Sequence, residues 1–154
     1  MLSEAERKEI EAELRIMPRR ESGCVEALRA VQRHRGWVDD SAVADVAAFL
    51  GMSPDAVDSV ATFYNLVHRR PVGRHVIHLC TSVTCWMLRY PEIQAAIHRE
   101  LGIAPGATTD DGRFTLLPIQ CLGDCDHAPA MMVDDDLHHD LVPDDVPRIL
   151  ERYD

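Results

Sequence analysis

No stretch of this 154-residue sequence is apolar for long enough to cross a membrane. The opening MLSEAERKEIEAEL has none of the apolar centre of a signal peptide. The expectation is a cytoplasmic chain with no direct membrane insertion, in a compartment that keeps thiols reduced. Basic charge is also scarce: 16 Lys and Arg face 26 Asp and Glu, a net charge of −10. Phosphate is bound through clustered Lys and Arg, so neither nucleic acid nor an anionic lipid surface is an expected partner. The sequence contains no G-x-G-x-x-G, no P-loop and no nucleophile-elbow serine. No flavin or nicotinamide site is visible, so any hydride chemistry belongs to another chain. There is no internal repeat and no low-complexity tract. Hydrophobic residues make up 46% and charged residues 27%, which excludes disorder and allows a real core.

Against these absences stand five cysteines, four of them in two tight pairs. Cys80 and Cys85 have C-x4-C spacing, Cys121 and Cys125 have C-x3-C spacing, and 35 residues separate the pairs. In a reducing compartment such a pattern points to metal or redox work before disulfides. Two close pairs can converge into one pocket of four thiolates, a soft donor set that suits an iron–sulfur centre. Each pair would serve one iron of a [2Fe–2S] cluster, with Gly123 supplying a backbone conformation closed to residues with side chains. Backbone N–H groups near residues 81–84 and 122–124 are expected to donate to the sulfurs. Structural zinc is the stronger alternative, although its pairs prefer two-residue spacing and a core of this size needs no zinc to fold. Thiol–disulfide exchange is weaker, because there is no C-x-x-C. Cys24 falls on an apolar helical stripe and is expected to be packing. His127, two residues past Cys125, is a conceivable ligand, but the four cysteines already complete the coordination. His138 and His139 are expected to be exposed, and His75 and His78 to be surface or edge residues.

The pattern along the chain changes near residues 70–73. Before that point it is helical. The spacing predicts helices over about 4–14, 21–35 and 41–50, then a short one capped by Ser53 with Pro54 at its first position. After Gly73 the order is β-α-β-β-α: strands over about 74–79, 114–119 and 130–133, and helices over about 91–101 and from 143 onward. Both cysteine pairs are placed in loops after strands, where open sheets put their sites. The fold class expected is α/β, a thioredoxin-like domain at 73–154 behind an N-terminal helical bundle at 1–72. The acidic run Asp134-Asp135-Asp136 reads as a solvated turn between two strands.

Two stretches, VATFYNLVHRRPVGRHVIHLCTSVTC and GRFTLLPIQCLGDCDHAPAMMVDDDLHHDL, resemble a known family. It is the 24-kDa-type [2Fe–2S] component of respiratory complex I, the E-subunit family of bacterial NADH–quinone oxidoreductases. The motifs that carry the resemblance are the cysteine spacing, the TFY…PVG lead-in and the CLG-x-C-x-x-x-P segment. The family's four ligands fall on Cys80, Cys85, Cys121 and Cys125. The resemblance implies a thioredoxin-like ferredoxin that docks on the flavin-carrying, NADH-oxidising subunit, in the peripheral arm of complex I. FMN and NADH would be bound by that partner, and this chain would exchange single electrons with its flavin. Equivalent subunits of NAD-dependent formate dehydrogenases and NAD-reducing hydrogenases are the nearest alternatives. A structural zinc adaptor is a more distant one. The phrases PGATTDDGRFTLLP and MMVDDDLHHDL favour the complex I branch.

Overall fold

The structure, a computed structural model, describes residues 1–153. The chain divides into two compact units, one ending at Pro71 and the other beginning at Val72.

The first unit is helical. Helix α1 is Glu4–Leu14, α2 Cys24–Arg35, α3 Asp40–Leu50 and α4 Pro54–Phe63. Helix α1 opens with a reciprocal cap, in which Ser3 Oγ accepts from the Glu6 N–H and Glu6 Oε2 accepts from the Ser3 N–H. Asp39 and Ser53 cap α3 and α4 in the same role. Residues 21–23, expected as the first turn of α2, belong instead to a separate 3₁₀ turn over Arg20–Gly23. A Cβ on Gly23 there would lie 2.4 Å from the Leu14 side-chain tip, which would have to turn aside to admit it. The inner faces of the helices bury Ile10, Leu28, Val31, Val46 and Val57 in one apolar cluster. Cys24 joins that cluster at 3% exposure, as its place on the stripe required.

The second unit is a four-stranded mixed sheet with helices. Its strands are β1 His75–Cys80, β2 Phe114–Ile119, β3 Met131–Val133 and β4 Asp136–His138, in the order β2-β1-β3-β4. Strands β1 and β2 run parallel, and their 33-residue connection carries α5 Val83–Met87 and α6 Tyr90–Leu101. The pairs β1–β3 and β3–β4 are antiparallel. One sheet face, with Ile77, Leu79, Phe114 and Met131, packs on Ile93 and Ile97 of α6 and on Val146 and Leu150 of α7 Asp145–Leu150. Gly73, in the PVG lead-in, donates its N–H to Thr115 Oγ1 at 2.6 Å. A Cβ there would meet the Gly112 and Arg113 backbone at 3.0 Å, which explains the glycine.

One expectation is corrected. His78 is 3% exposed, not a surface residue. It lies within β1, a central strand between β2 and β3 whose residues from Val76 to Cys80 are buried on both faces. The acidic run is the exposed turn expected between two strands, Asp134 and Asp135 linking β3 to β4, and Asp134 also makes specific contacts. Its Oδ1 accepts the Val76 N–H at 2.9 Å and its Oδ2 lies 2.6 Å from His75 Nδ1, fastening the β3–β4 turn to the start of β1.

Candidate cluster site

The four paired cysteines meet at one corner of the sheet because two parallel strands end there together. Cys80 is the last residue of β1 and is in register with Ile119, the last residue of β2; Cys121 follows two positions later. The Thr81 N–H donates to Ile119 O at 2.9 Å and the Cys80 N–H to Ala130 O at 3.1 Å. These bonds draw the segments before Cys121 and after Cys125 against the end of β1. Cys80, Cys85, Ile119 and Ala128 form a small buried cluster of their own.

Cys85 is not in a loop, as the spacing led us to expect, but on the one-and-a-half-turn helix α5. Five residues are too few to display helical periodicity. Cys125 likewise opens a 3₁₀ turn over Cys125–His127. Ser82 takes the N-cap position of α5 but makes no side-chain cap bond there; its hydroxyl instead helps lower the Cys121 thiol. The Thr84 hydroxyl acts on the Cys125 thiol in the same direction. These two hydroxyl donors escaped the sequence reading. The S-x-T between the cysteines was the available signal, but only the fold turns those side chains toward the second pair.

The sulfurs interact across the pairs as well as within them. Cys121 Sγ and Cys125 Sγ are 3.6 Å apart. Cys80 lies near enough to Cys85 and Cys121 to shift both thiols. The Gly123 N–H donates to Cys121 Sγ at 3.3 Å, with Gly123 at φ +85°, the left-handed backbone expected of it. That N–H, with help from Cys125, pulls the Cys121 thiol below its usual range. The Cys125 thiol is pushed up, first by its hydrogen bond with Cys121. Burial pushes Cys85 up to about 11, and the Ala130 N–H partly offsets this. Four thiols sharing one corner cannot all ionise without a cation to compensate them. Two sulfur pairs with N–H and O–H donors around them fit a soft, multi-iron centre.

The site is asymmetric. Cys80 and Cys85 are buried, whereas Cys121 and Cys125 are exposed. Around it α5 presents bare apolar side chains, with Trp86 63% and Met87 71% exposed and Val83 and Leu88 also in solvent. His127 pairs with Asp140, Nδ1 to Oδ2 at 2.9 Å. His139 is exposed, and His138 is half-buried with Nε2 2.8 Å from the Tyr153 hydroxyl. Among the described residues no helix is long and apolar enough to cross a membrane.

The family model described as thioredoxin-like [2Fe–2S] ferredoxin matches residues 10–154. The chain is 51% identical over 152 residues to the E subunit of NADH-quinone oxidoreductase from Escherichia coli (strain K12), covering 99% of this chain and 92% of that one. It is 47% identical over 153 residues to the protein of the same name in Pseudomonas aeruginosa, with coverage of 99% and 92%. Among solved structures, an NAD+-reducing [NiFe]-hydrogenase in the air-oxidized state superposes with a TM-score of 0.68 at 23% identity. That match covers 82% of this chain and 22% of the other, a likeness of fold.

Proposed function

The chain belongs to the thioredoxin-like [2Fe–2S] ferredoxin family, and from that premise we propose that Cys80, Cys85, Cys121 and Cys125 hold its cluster beside a flavin-carrying, NADH-oxidising partner subunit. The chain is an electron-transfer subunit of NADH-quinone oxidoreductase and carries a [2Fe–2S] cluster. The hydrogenase and formate dehydrogenase alternatives yield to relatives that share half of their residues with this chain along its whole length.

When bound, a [2Fe–2S] cluster accepts and releases one electron at a time. The protein's own residues bind it, shield it and set its energy. The carrying observation is the convergence of the two thiol pairs, with Cys121 and Cys125 3.6 Å apart and Cys80 near enough to Cys85 and Cys121 to shift both thiols. The buried pair, Cys80 and Cys85, excludes water from one side. The Gly123 and Ala130 N–H groups and the Ser82 and Thr84 hydroxyls stabilise negative charge on sulfur, which raises a reduction potential.

The exposed pair faces outward, and the apolar surface of α5 flanks it. Contiguous exposed apolar side chains mark a protein interface, and an electron carrier needs its donor close to the cluster. We therefore assign that surface to the flavin-carrying subunit, which puts the chain in the part of the complex outside the membrane. The helical unit, 1–72, is read as a separate domain from the ferredoxin unit, 73–154. The deciding experiment is NADH reduction of the purified complex followed by electron paramagnetic resonance. A [2Fe–2S] signal that appears with NADH and disappears when this chain is removed supports the reading. A complex that keeps the full signal without this chain refutes it.

A further inference from the structure

Two segments that bracket the cluster corner bring a second set of donors together. His127 lies at the end of the turn that begins with Cys125, and His139 and Asp140 follow β4. The Asp140 N–H donates to His127 O at 2.7 Å, so the backbone itself locks the two segments side by side. Asp140 adopts a left-handed conformation, φ +49°, which β-branched residues resist and aspartate tolerates. Its carboxylate reaches back between the rings: Oδ2 is 2.9 Å from His127 Nδ1 and 3.8 Å from His139 Nδ1. One donor atom from each of the three residues falls within 4.8 Å of the other two.

The chemistry of this cluster is that of a borderline cation site. Zinc bonds of 2.0–2.1 Å at tetrahedral angles separate neighbouring donors by about 3.3 Å, and the observed 2.9 and 3.8 Å lie on either side of that spacing. Asp124 adds a second carboxylate, its Oδ2 3.3 Å from His139 Nδ1, buried and in no hydrogen bond. Two imidazoles crowded to a ring separation of 4.8 Å gain from a shared cation. Two neighbouring carboxylates balance its charge. Imidazole donors select Zn2+, Ni2+ or Cu2+ over Mg2+ and Ca2+.

We propose that His127, His139 and Asp140 form a surface site for a divalent transition ion of the Zn2+ class, separate from the cysteine corner, with the Asp124 carboxylate facing the same His139 nitrogen and adding negative charge to the site. Three protein ligands leave a position for water. The bound ion clamps the turn that carries Cys125 to the segment after β4. The site uses no sulfur, so it stands or falls independently of the cysteine assignment.

The test is calorimetric titration of the cluster-loaded chain with ZnCl2, with iron content and the visible spectrum read in the same samples. One Zn2+ per chain is expected, with iron retained and Mg2+ in excess failing to compete. His139→Gln should weaken binding about tenfold or more, and H127Q combined with H139Q should abolish it. Zinc-edge X-ray absorption of the unmodified chain should show nitrogen and oxygen neighbours only, a readout that needs no variant to fold. Absence of saturable binding, binding unchanged in the double variant, sulfur among the zinc neighbours, or iron release on zinc addition would each overturn the site.

Discussion

The Gly123 N–H points at the Cys121 sulfur from 3.3 Å, and it does so because Gly123 occupies a left-handed backbone conformation. A methyl group on Gly123 would meet nothing within 4 Å, so space is not the constraint. The backbone is. Gly123→Ala should cost about 1–2 kcal/mol in that conformation, and the turn should relax and swing the N–H off the sulfur. The cluster should then titrate at a lower midpoint potential and lose iron faster. Redox titration and iron release of the alanine variant check this; an unchanged potential would show that the donor does not act on the cluster.

Replacing any one of Cys80, Cys85, Cys121 or Cys125 by serine should remove or reshape the [2Fe–2S] spectrum. The loss should be deepest for the buried pair, Cys80 and Cys85, where a serine hydroxyl would also be desolvated. Cys24→Ser is the control. It is buried in the helical core of the other unit, so it should cost about 1–3 kcal/mol of stability and leave the spectrum intact. Iron content and electron paramagnetic resonance of the five variants provide the check. An unchanged cluster in any of the first four would remove that residue from the ligand set.

Much of this site was legible because its determinants are local. Pair spacing announced Cys80, Cys85, Cys121 and Cys125, and the glycine between the last two announced the turn that now carries φ +85°. Residues 114–119 read as a strand because their apolar and β-branched side chains mark one without tertiary help, and β2 spans those six residues. What escaped was set at long range. Helix α5 is five residues long and is held by its surroundings more than by its own pattern. The burial of His78 follows from the cover on both faces of β1, which no local window contains. The meeting of His127 with His139 and Asp140 needs the return of β3 and β4, so His127 read alone looked like a spare ligand for the cysteines.

The apolar surface of α5 gives a prediction that separates docking from cluster binding. Trp86 and Met87 are exposed beside buried Cys85, so neither side chain is needed for the core. Trp86→Ala and Met87→Glu should leave iron content and the cluster spectrum as they are. Each should weaken association with the flavin-carrying subunit, by about 2 kcal/mol or more if Trp86 is an anchor of the interface. Co-purification from cells and binding measured between isolated subunits read this directly. Wild-type affinity in both variants would move the interface elsewhere, with exposed Phe63 and Tyr64 of the helical unit as the next candidates.

Acid should loosen the helical unit through Glu6. This carboxylate is 2% exposed, and Arg35 grips it through two hydrogen bonds of 2.6 and 3.0 Å. The Arg35 guanidinium holds its pKa down to about 2, against 4.5 for an ordinary glutamate. A carboxyl whose pKa is lowered on folding binds protons more readily in the unfolded chain. Its contribution is therefore complete above about pH 4.5 and is lost as pH falls toward about 2. Glu6→Gln keeps the cap, since glutamine also serves at that position, but it deletes the charge. It should cost about 1–3 kcal/mol near neutrality, moderated because Asp45 Oδ2 still pairs with Arg35 at 3.2 Å. The gap between wild type and variant should shrink as pH drops from about 6 to about 3. Urea unfolding followed by far-ultraviolet circular dichroism measures that gap at each pH. A gap that stays constant across the range would mean that Glu6 stabilises the helices through packing or capping, and not through its charge.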